Sequence, residues 1–475
     1  MLEVPESEIL ARMREENPWW QAGGGIHPDL RKLPRRAYLL DFTELVRRKE
    51  PHRAVVLMGP RRVGKTYLVY HAIHELLEQH AVVGRDILYV NLETPIYNRL
   101  SLDDLVVRFR GMFQRPVGQT LYVFFDEVQY LKEWEVHLKD LVERHRDVRF
   151  TATGSSAVAL KTKSRESGAG RFTEYLLPPL TFAEFLRFIG KEGELIEVSG
   201  NTGRYTTPDI LGLNAEFINY MNYGGYPEAV FSLTIQQDPQ RYIKNDIVDK
   251  VLLRDLPTLY GISDIQELNS LFNTLAYHTS REVSVEELSK TSNVAKNTLV
   301  RYLEYLEAAF LIRQMRRVDE DVTHFKRRTT FKVFLTNPTM RAALFNPLKH
   351  GDAAMGQQVE TAFFSQWTHN RAFIDSLHYV RWKKGEVDFV SLDPTGRKAQ
   401  FVVEVKWSDA AFTDPGEIKG LLQFCKMHKL KRAPLVTTLV QSGMRTMAGI
   451  EVEFTPASLH AYTVGKNTLE RKAHY

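Results

Sequence analysis

The sequence contains a single cysteine, Cys425, among its 475 residues. One thiol excludes an internal disulfide framework and a cysteine-rich zinc site, and it suits a reducing compartment. The sequence also lacks an apolar run long enough to cross a bilayer, and its first residues lack the apolar core of a secretory signal. These absences predict a cytoplasmic protein that does not enter a membrane.

An excess of either charge sign is missing as well. The 63 lysines and arginines nearly balance the 58 aspartates and glutamates, which leaves a formal net charge of +5. Mild basicity of this kind is compatible with a nucleic-acid partner but does not by itself indicate one. What the sequence does contain is the 43% hydrophobic content of an ordinary globular protein. Its length is enough for about three domains.

A glycine-rich turn follows the apolar segment Ala54–Met58 and precedes a helical pattern. The turn, "GPRRVGKT", fits the pattern G-x-x-x-x-G-K-T and consists of Gly59, Pro60, Arg61, Arg62, Val63, Gly64, Lys65 and Thr66. Glycines let backbone N–H groups curl around phosphate oxygens, and the N-terminus of the following helix adds partial positive charge. Lys65 would reach the β- and γ-phosphates, and the Thr66 hydroxyl would bind Mg²⁺. The turn therefore predicts a site for a nucleoside triphosphate with Mg²⁺.

A second apolar run, "LYVFFDEVQYL", ends in the acidic pair Asp126 and Glu127. An aspartate at the end of a buried strand beside a phosphate loop holds the Mg²⁺ shell. The adjacent Glu127 would orient and deprotonate the attacking water. The pair predicts hydrolysis, and the plain alternative is a strand end with an acidic helix cap.

Strand and helix patterns alternate through the first half of the chain. Further strand candidates are "DILYVNLE" (86–93), "VRFTATGSSA" (148–157) and "FTEYLLPPL" (172–180). This alternation predicts a doubly wound parallel sheet. A strand inserted between the phosphate loop and the acidic pair resembles the additional-strand ATPases, which are the AAA+ proteins and their relatives. The resemblance implies that Thr153, Ser155 or Ser156, at the end of the fourth strand, senses the γ-phosphate, and it does not choose among them.

The segment "SGAGRF" places Arg171 in a glycine-rich loop just before the fifth strand. In AAA+ proteins a finger arginine projects from this region into the nucleotide of the neighbouring subunit, where it stabilises transition-state charge. The resemblance therefore implies a homo-oligomer, such as a ring, with sites shared between subunits. A surface-loop arginine is the alternative.

Six motifs follow one another in order: "NPWW", "GPRRVGKT", "DEVQYL", "TATGSSA", "GRFTEYLLPPLTFAEF" and "GGYPEAV". Together they resemble the prokaryotic AAA-type ATPases whose C-terminal half is known only as a domain of unknown function. "GGYPEAV" is also similar to the Gly-x-Pro element of signalling ATPases, whose proline lies against adenine. This similarity implies an adenine contact for Pro227, whereas a turn is the alternative, since Gly-Gly and Pro punctuate chains.

The middle of the chain has the pattern of a helix-turn-helix. "VSVEELSKTSNVAKNTLVRYLEYLEAAFLI" predicts a short helix, a turn at 292–295 and a second helix over 296–309, with basic wing strands after it. DNA is the predicted partner, because a basic exposed face suits phosphate and base-edge contacts. The predicted contact residues are Lys296, Asn297, Arg301, Arg316, Arg317, Arg327 and Arg328. A packing module with a solvated charged face is the alternative.

Acidic residues recur in a set order in the last third of the chain. Glu360 lies on a predicted helix, Asp388 on a strand, and Glu404 with Lys406 on the next strand, "FVVEVKW". Strand side chains alternate faces, so Glu404 and Lys406 share one. The order resembles the PD-(D/E)XK nuclease fold. It implies that Asp388 and Glu404 bind Mg²⁺, that Glu360 completes the metal shell or orients Lys406, and that Lys406 positions the attacking water. A buried ion pair without activity is the alternative.

The predicted fold class is α/β, with four segments. A P-loop doubly wound parallel sheet with its N-terminal segment occupies 1–190, a helical lid 191–260, a winged-helix domain 261–345, and a nuclease-like α/β domain 346–475. The predicted function is an ATP-hydrolysing ATPase acting on DNA, with a C-terminal domain that cuts or grips it. The alternative is a nucleotide-gated regulatory switch whose C-terminal half is a non-catalytic binding module.

Overall fold

The computed structural model describes residues 5–154, 170–199, 204–319, 330–383, 385–430 and 432–472. Four predicted site residues, Ser155, Ser156, Arg327 and Arg328, lie outside the described residues. The chain divides into two compact units, one up to Pro178 and the other Pro179–Arg471. No helix in the described part of the chain is both long and apolar enough to span a membrane.

Within the described part of the first unit, five parallel strands form one sheet in the order β2-β3-β4-β1-β5. The strands are β1 (Ala54–Met58), β2 (Ile87–Asn91), β3 (Leu121–Asp126), β4 (Val148–Gly154) and β5 (Phe172–Leu176). Each strand lies in a segment where the sequence predicts one. The parallel sheet confirms the predicted α/β fold. The strand that lies between β1 and β3 in the sheet is β4, whereas β2, the strand predicted between the phosphate loop and the acidic pair in the sequence, lies at the edge.

Helices connect these strands, as parallel pairing requires. The α-helices of the first unit are Glu6–Glu16, Pro28–Lys32, Leu39–Arg47, Lys65–Glu78, Leu102–Phe113 and Trp134–Arg144. Short 3₁₀ turns span Pro18–Trp20, Gly84–Asp86, Pro95–Tyr97 and Val128–Tyr130. The residues of β1 to β4 are almost all buried, whereas β5 is half-buried beyond Phe172. This burial explains the nearly continuous apolar sequences of β1 and β3.

The second unit is built on a mixed sheet. Its nine strands, counted over the described residues, run in the order β15-β16-β14-β13-β12-β11-β9-β10-β8. They are β8 (Glu282–Ser284), β9 (Ile312–Val318), β10 (Thr330–Leu335), β11 (Leu377–Trp382), β12 (Gly385–Leu392), β13 (Ala399–Glu404), β14 (Leu435–Thr438), β15 (Gly443–Met447) and β16 (Ile450–Pro456).

Most helices of the second unit are short. The α-helices are Phe182–Phe188, Glu192–Leu195, Ile210–Asn219, Pro227–Phe231, Leu233–Gln237, Leu256–Tyr260, Ile265–Tyr277, Val285–Ser292, Lys296–Ala308, Thr339–Phe345, Met355–Trp367, Arg371–Asp375, Ala410–Thr413, Lys419–His428 and Ala457–Lys472. Three π-helical segments are Tyr220–Gly224, Gln240–Asp249 and Val251–Asp255, and one 3₁₀ turn is Pro415–Ile418.

The strands predicted for the wing share this sheet with the strands predicted for the nuclease-like domain. β9 pairs in parallel with β11, so that Arg316 lies opposite His378. The segment over 190–207, at the start of the predicted helical lid, contains a helical turn and two antiparallel strands, β6 (Glu197–Ser199) and β7 (Arg204–Thr206). Three-residue strands are too short to give a periodic signal. The four predicted segment bounds stay a prediction.

The large sheet is covered on both faces. Phe389 and Val403, paired across β12 and β13, belong to one apolar core, and their neighbours Val390 and Val402 belong to the other. This follows from the two-residue period of strand side chains. The first core includes the helix Met355–Trp367, and the second includes Lys419–His428. The sheet therefore holds the C-terminal acidic residues between two packed layers.

Candidate functional site

The glycine-rich turn forms at the C-terminal end of β1. A Cβ atom at Gly59 would lie 2.2 Å from the carbonyl oxygen of Leu177, so this close approach requires glycine. The Leu177 N–H donates to the Met58 carbonyl at 2.8 Å and fixes that approach. Gly64 takes a left-handed φ of 92° immediately before the helix Lys65–Glu78. The helix N-terminus therefore lies directly after the turn, where an anion site would form.

Lys65 lies over this turn and is 5% exposed. Its ammonium donates to the carbonyls of Gly59 at 3.1 Å and Pro60 at 2.9 Å. Arg61, Arg62 and Val63 complete the predicted phosphate loop, with Arg62 in the left-handed region at φ 64°. The loop and its lysine have the local geometry that phosphate binding needs.

Asp126 ends β3 and accepts hydrogen bonds from three hydroxyl groups. Thr66 Oγ1 and Tyr89 Oη each donate to Oδ2 at 2.8 Å, and Thr153 Oγ1 donates to Oδ1. Burial, and then the charge of Glu127, raise the pKa of Asp126, while the hydroxyl donors oppose the rise. The predicted magnesium residues Thr66 and Asp126 are thus in direct contact. A hydroxyl and a carboxylate side by side fit Mg²⁺, a cation that prefers oxygen ligands.

Glu127 sits in a left-handed turn, with φ 57°, directly after β3. Its backbone N–H donates to Thr153 Oγ1 at 3.2 Å, and its side chain accepts from Gln129. Thr153 therefore links Asp126 and Glu127 from the end of β4. Of the polar residues predicted to sense the γ-phosphate, Thr153 is the one that lies in the described part of the chain.

The "NPWW" motif covers the edge of the five-stranded sheet. Asn17 donates to the Tyr89 carbonyl at 2.8 Å and accepts from the Tyr89 N–H at 2.7 Å, as a neighbouring strand would. The indole N–H groups of Trp19 and Trp20 both donate to the Ile87 carbonyl, at 3.2 and 2.7 Å. An exposed edge strand invites pairing with other chains, and this segment satisfies its polar groups. The motif is evident in the sequence, but its role at the sheet edge is not.

Arg36 is a site residue that the sequence analysis missed. It is 5% exposed, and its guanidinium donates to the carbonyls of Val63 at 2.7 Å and Pro178 at 2.9 Å. Val63 belongs to the phosphate loop, so Arg36 ties the loop to the end of the unit. No local pattern marks it, because the three residues are far apart in the sequence.

Arg171, the predicted finger, lies just before β5, and its Nε is 3.1 Å from Glu143 Oε1 in an exposed pair. Pro227, the predicted adenine contact, begins the helix Pro227–Phe231 in the second unit. The glycines before it have a packing role there: a Cβ at Gly225 would lie 2.0 Å from Asn337 Nδ2. The roles of Arg171 and Pro227 stay predictions.

The two helices of the predicted helix-turn-helix are Val285–Ser292 and Lys296–Ala308, joined through Asn293 at φ 58°. Lys296, Asn297 and Arg301 are exposed on the second helix, and Arg316 is exposed on β9. The Lys296 ammonium lies 3.0 Å from Glu286, with both side chains exposed. Arg317 is half-buried and lies 3.5 Å from Glu282. Of the predicted DNA contacts that the structure describes, four are therefore exposed, and Arg317 is more enclosed.

In the second unit, the predicted acidic residues meet around a lysine that the sequence analysis did not consider. Lys332, on β10, is 4% exposed on its side chain, and its ammonium lies 2.7 Å from Glu386 Oε1, 3.3 Å from Asp388 Oδ1 and 3.5 Å from Glu360 Oε2. Burial lowers the pKa of Lys332, but Glu360, Asp388 and Glu386 together raise it well above its usual value. The sequence placed this lysine on a predicted wing strand, away from the cluster.

Glu404 and Lys406 share a face as predicted, with Lys406 Nζ 3.0 Å from Glu404 Oε1. Burial raises the pKa of both Glu360 and Glu404 to about 8. Asp388 Oδ2 accepts the Val405 N–H at 2.9 Å, so both of its oxygens are engaged. The Lys332 ammonium thus lies among the carboxylates for which the sequence predicts Mg²⁺, and the magnesium role stays a prediction. Across the described ranges, no group of three or more His, Cys, Asp or Glu side chains is arranged to hold a metal ion.

The order of the five-stranded sheet, the phosphate loop after β1 and the acidic residue ending β3 define the first unit as an AAA-type P-loop ATPase domain. Residues 51–186 match the family model of the AAA domain. Residues 214–350 match a second model, described as a domain of unknown function, DUF8612.

Relatives of similar length come from archaea and bacteria. An uncharacterized protein of Methanocaldococcus jannaschii is 26% identical over 356 residues, which cover 72% of this chain and 72% of that protein. An uncharacterized protein of Haemophilus influenzae is 24% identical over 385 residues, covering 78% of this chain and 86% of that protein. Among solved structures, the Aeropyrum pernix ORC2 protein is 16% identical, covers 68% of this chain and 95% of that chain, and has a TM-score of 0.39. A Walker-type ATPase of Pyrococcus abyssi is 14% identical, covers 69% and 99%, and has a TM-score of 0.36.

Proposed function

We propose that this protein binds and hydrolyses Mg-ATP in its first unit and uses that cycle to act on DNA. The observation that carries the proposal is the contact of Thr66 Oγ1 with Asp126 Oδ2 at 2.8 Å, directly beside the loop that holds Lys65. In this arrangement Thr66 and Asp126 hold the Mg²⁺, and Lys65 binds the phosphates. The bound ion would supply charge neutralisation at the transferred phosphoryl group.

Glu127 is the residue we assign to water activation. Its backbone is fixed by Thr153 and its carboxylate accepts from Gln129, which holds the side chain near the end of β3. A carboxylate held in this way orients a water and takes its proton. Arg171 acts across a subunit boundary in this proposal, so the hydrolysing form is a homo-oligomer.

DNA engagement is assigned to the second helix of the helix-turn-helix. Lys296, Asn297 and Arg301 are exposed along one helix, and Lys296 is held only by an exposed ion pair. Solvent screens such an exposed pair, so phosphate would replace Glu286 at little cost. Arg316 adds a cation on β9, and Arg327 and Arg328 are further candidates.

For the C-terminal acidic residues, a role without cleavage is the one that the contacts favour, and any DNA gripping by this unit would fall to other residues. Asp388 has both oxygens occupied, and the Lys332 ammonium lies among the carboxylates. Two lysines, Lys332 and Lys406, offset part of the acidic charge there. Metal-dependent cleavage through Asp388, Glu404 and Lys406 is the other predicted role.

The test is an ATPase assay with single-stranded, double-stranded and branched DNA, in the presence of Mg²⁺. We expect DNA to stimulate hydrolysis, Lys65→Ala to abolish nucleotide binding, and Arg171→Ala to reduce hydrolysis while binding persists. The charge reversals Lys296→Glu and Arg301→Glu should weaken DNA binding and its salt dependence, while Lys49→Glu, an exposed lysine of the first unit, serves as the matched control.

Two outcomes would contradict the proposal. If Lys65→Ala hydrolyses ATP normally, the nucleotide site is elsewhere. If no DNA form binds and ADP copurifies with very slow turnover, the nucleotide-gated switch is the better description. Measuring the mass of the protein with and without nucleotide tests the homo-oligomer in the same preparation.

A further inference from the structure

The acidic side chains around Lys332 already face a cation, which is the Lys332 ammonium. Three carboxylates from two different elements converge on one ammonium: Glu386 and Asp388 from β12, and Glu360 from the helix Met355–Trp367. The Lys332 side chain is 4% exposed and belongs to the second unit. A buried ammonium is tolerated only where nearby carboxylates offset its charge, and these three do.

A divalent ion would need the same oxygens. Asp388 is the carboxylate central to any such site, because it lies next to both Glu386 on its own strand and Glu404 on β13. Its Oδ1 faces Lys332 at 3.3 Å and its Oδ2 accepts the Val405 N–H at 2.9 Å. Glu404 Oε1 faces Lys406 at 3.0 Å. Two fully buried oxygens of the cluster, Glu360 Oε2 and Glu404 Oε2, have no hydrogen-bond partner, and they belong to separate residues.

We infer that Lys332 is the resident cation of this acidic site: its ammonium occupies the place of a divalent ion, and the wild-type site binds none. The carboxylates are held by lysines from β10 and from the end of β13, so the site is complete within one chain. The inference concerns the C-terminal part of the proposed function and stands whether or not the first unit hydrolyses ATP.

This assignment has a functional consequence for the second unit. A carboxylate site closed by ammonium groups has no ion with which to lower the pKa of a bound water. The unit therefore contributes binding, not metal-dependent cleavage. Removing the ammonium should turn the same carboxylates into a divalent-ion site, because they would then face one another without a counter-charge.

The experiment measures Mn²⁺ binding to the full-length protein by electron paramagnetic resonance, with no nucleotide present. The variants are wild type, Asp388→Asn, Lys332→Ala, Lys332→Arg and the double variant Lys332→Ala with Asp388→Asn. We expect wild type and Asp388→Asn to bind Mn²⁺ equally weakly. Lys332→Ala should gain a site at least about tenfold tighter, which the double variant loses, and Lys332→Arg should gain none because it keeps the charge.

A wild-type Mn²⁺ site that Asp388→Asn removes would overturn the inference, and so would a folded Lys332→Ala that gains no site. Thermal unfolding with and without Mn²⁺ shows whether each variant is folded. If Lys332→Ala does not fold, the wild-type and Asp388→Asn titrations decide alone: equal binding supports the inference, and a difference overturns it. The ATPase part of the proposed function is untouched by either result, because no nucleotide is present.

Discussion

Replacing Asn17 by alanine tests whether the N-terminal segment stabilises the sheet that carries the candidate nucleotide site. Asn17 is 1% exposed and makes three hydrogen bonds of 2.7–2.8 Å, two with the backbone of Tyr89 and one with the Met13 carbonyl. Tyr89 in turn donates its hydroxyl to Asp126 at 2.8 Å. The substitution therefore acts on the edge strand β2 and, through it, on the acidic residue at the site.

The magnitude follows from the groups left without partners. A buried polar group that loses its hydrogen bond costs about 1–3 kcal/mol. The Tyr89 N–H and C=O would both lose theirs, and water reaching the edge strand would recover part of that loss. We therefore expect Asn17→Ala to lower the free energy of unfolding of the first unit by about 2–4 kcal/mol.

The assay is urea unfolding of the full-length protein, followed by tryptophan fluorescence, since Trp19 and Trp20 flank the substitution. The midpoint should fall with the slope unchanged. Asn98→Ala, at an exposed position of the same unit, is the control and should change stability by less than about 0.5 kcal/mol. If Asn17→Ala and Asn98→Ala have the same small effect, the edge-strand role of "NPWW" is wrong.

Three further predictions concern single contacts. Arg36→Ala should weaken ATP binding by about tenfold, because Val63 in the phosphate loop loses its guanidinium donor. The control is Arg35→Ala, a half-exposed neighbour paired with Glu75, which should change ATP binding little. Equal effects of the two substitutions in a nucleotide titration would contradict this prediction. Gly225→Ala should destabilise the second unit by more than about 3 kcal/mol, because its Cβ would meet Asn337 at 2.0 Å. The control is Gly356→Ala, at a helix position with open space around it, which should stabilise the same unit by about 0.5–1 kcal/mol in thermal unfolding. Burial, with Arg432, lowers the pKa of His460 to about 3, so its contribution to stability is present above about pH 6.5 and is lost as the pH falls from 6.5 towards 3. His460→Phe, which keeps the stacking on Phe363, should flatten that part of the pH profile of unfolding, and an unchanged slope would refute the assignment.

Local patterns were sufficient for much of the first unit. The glycine-rich turn, the strand bounds and the acidic pair all depend on residues close in the sequence, so periodicity and motif spacing located them. Lys65, Thr66 and Asp126 are brought together as those patterns predict, because parallel strands end at one edge of a sheet. Local patterns could not predict the role of Arg36, because its contacts with Val63 and Pro178 span 27 and 142 residues.

In the second unit the sequence located the elements but not their neighbours. It placed Glu360 on a helix and Asp388 and Glu404 on two strands, as the structure has them, whereas Lys406 lies just beyond the end of β13. It did not place Lys332 beside Asp388, because the two are 56 residues apart and meet only where β10 and β12 join one sheet. Strand order in a mixed sheet is set by which faces bury most apolar surface, and a local pattern does not encode it.

The amino-acid sequence by itself determined the α/β class, the phosphate loop and the presence of acidic residues in the C-terminal part, since each depends on short runs of residues. The tertiary structure decided what completes these sites: Asn17 on the edge of β2, Arg36 behind the phosphate loop, and Lys332 among the carboxylates. The physical reason is the same in each case. Hydrogen bonds and ion pairs between distant segments form only after burial of the apolar faces has fixed which strands and helices are neighbours.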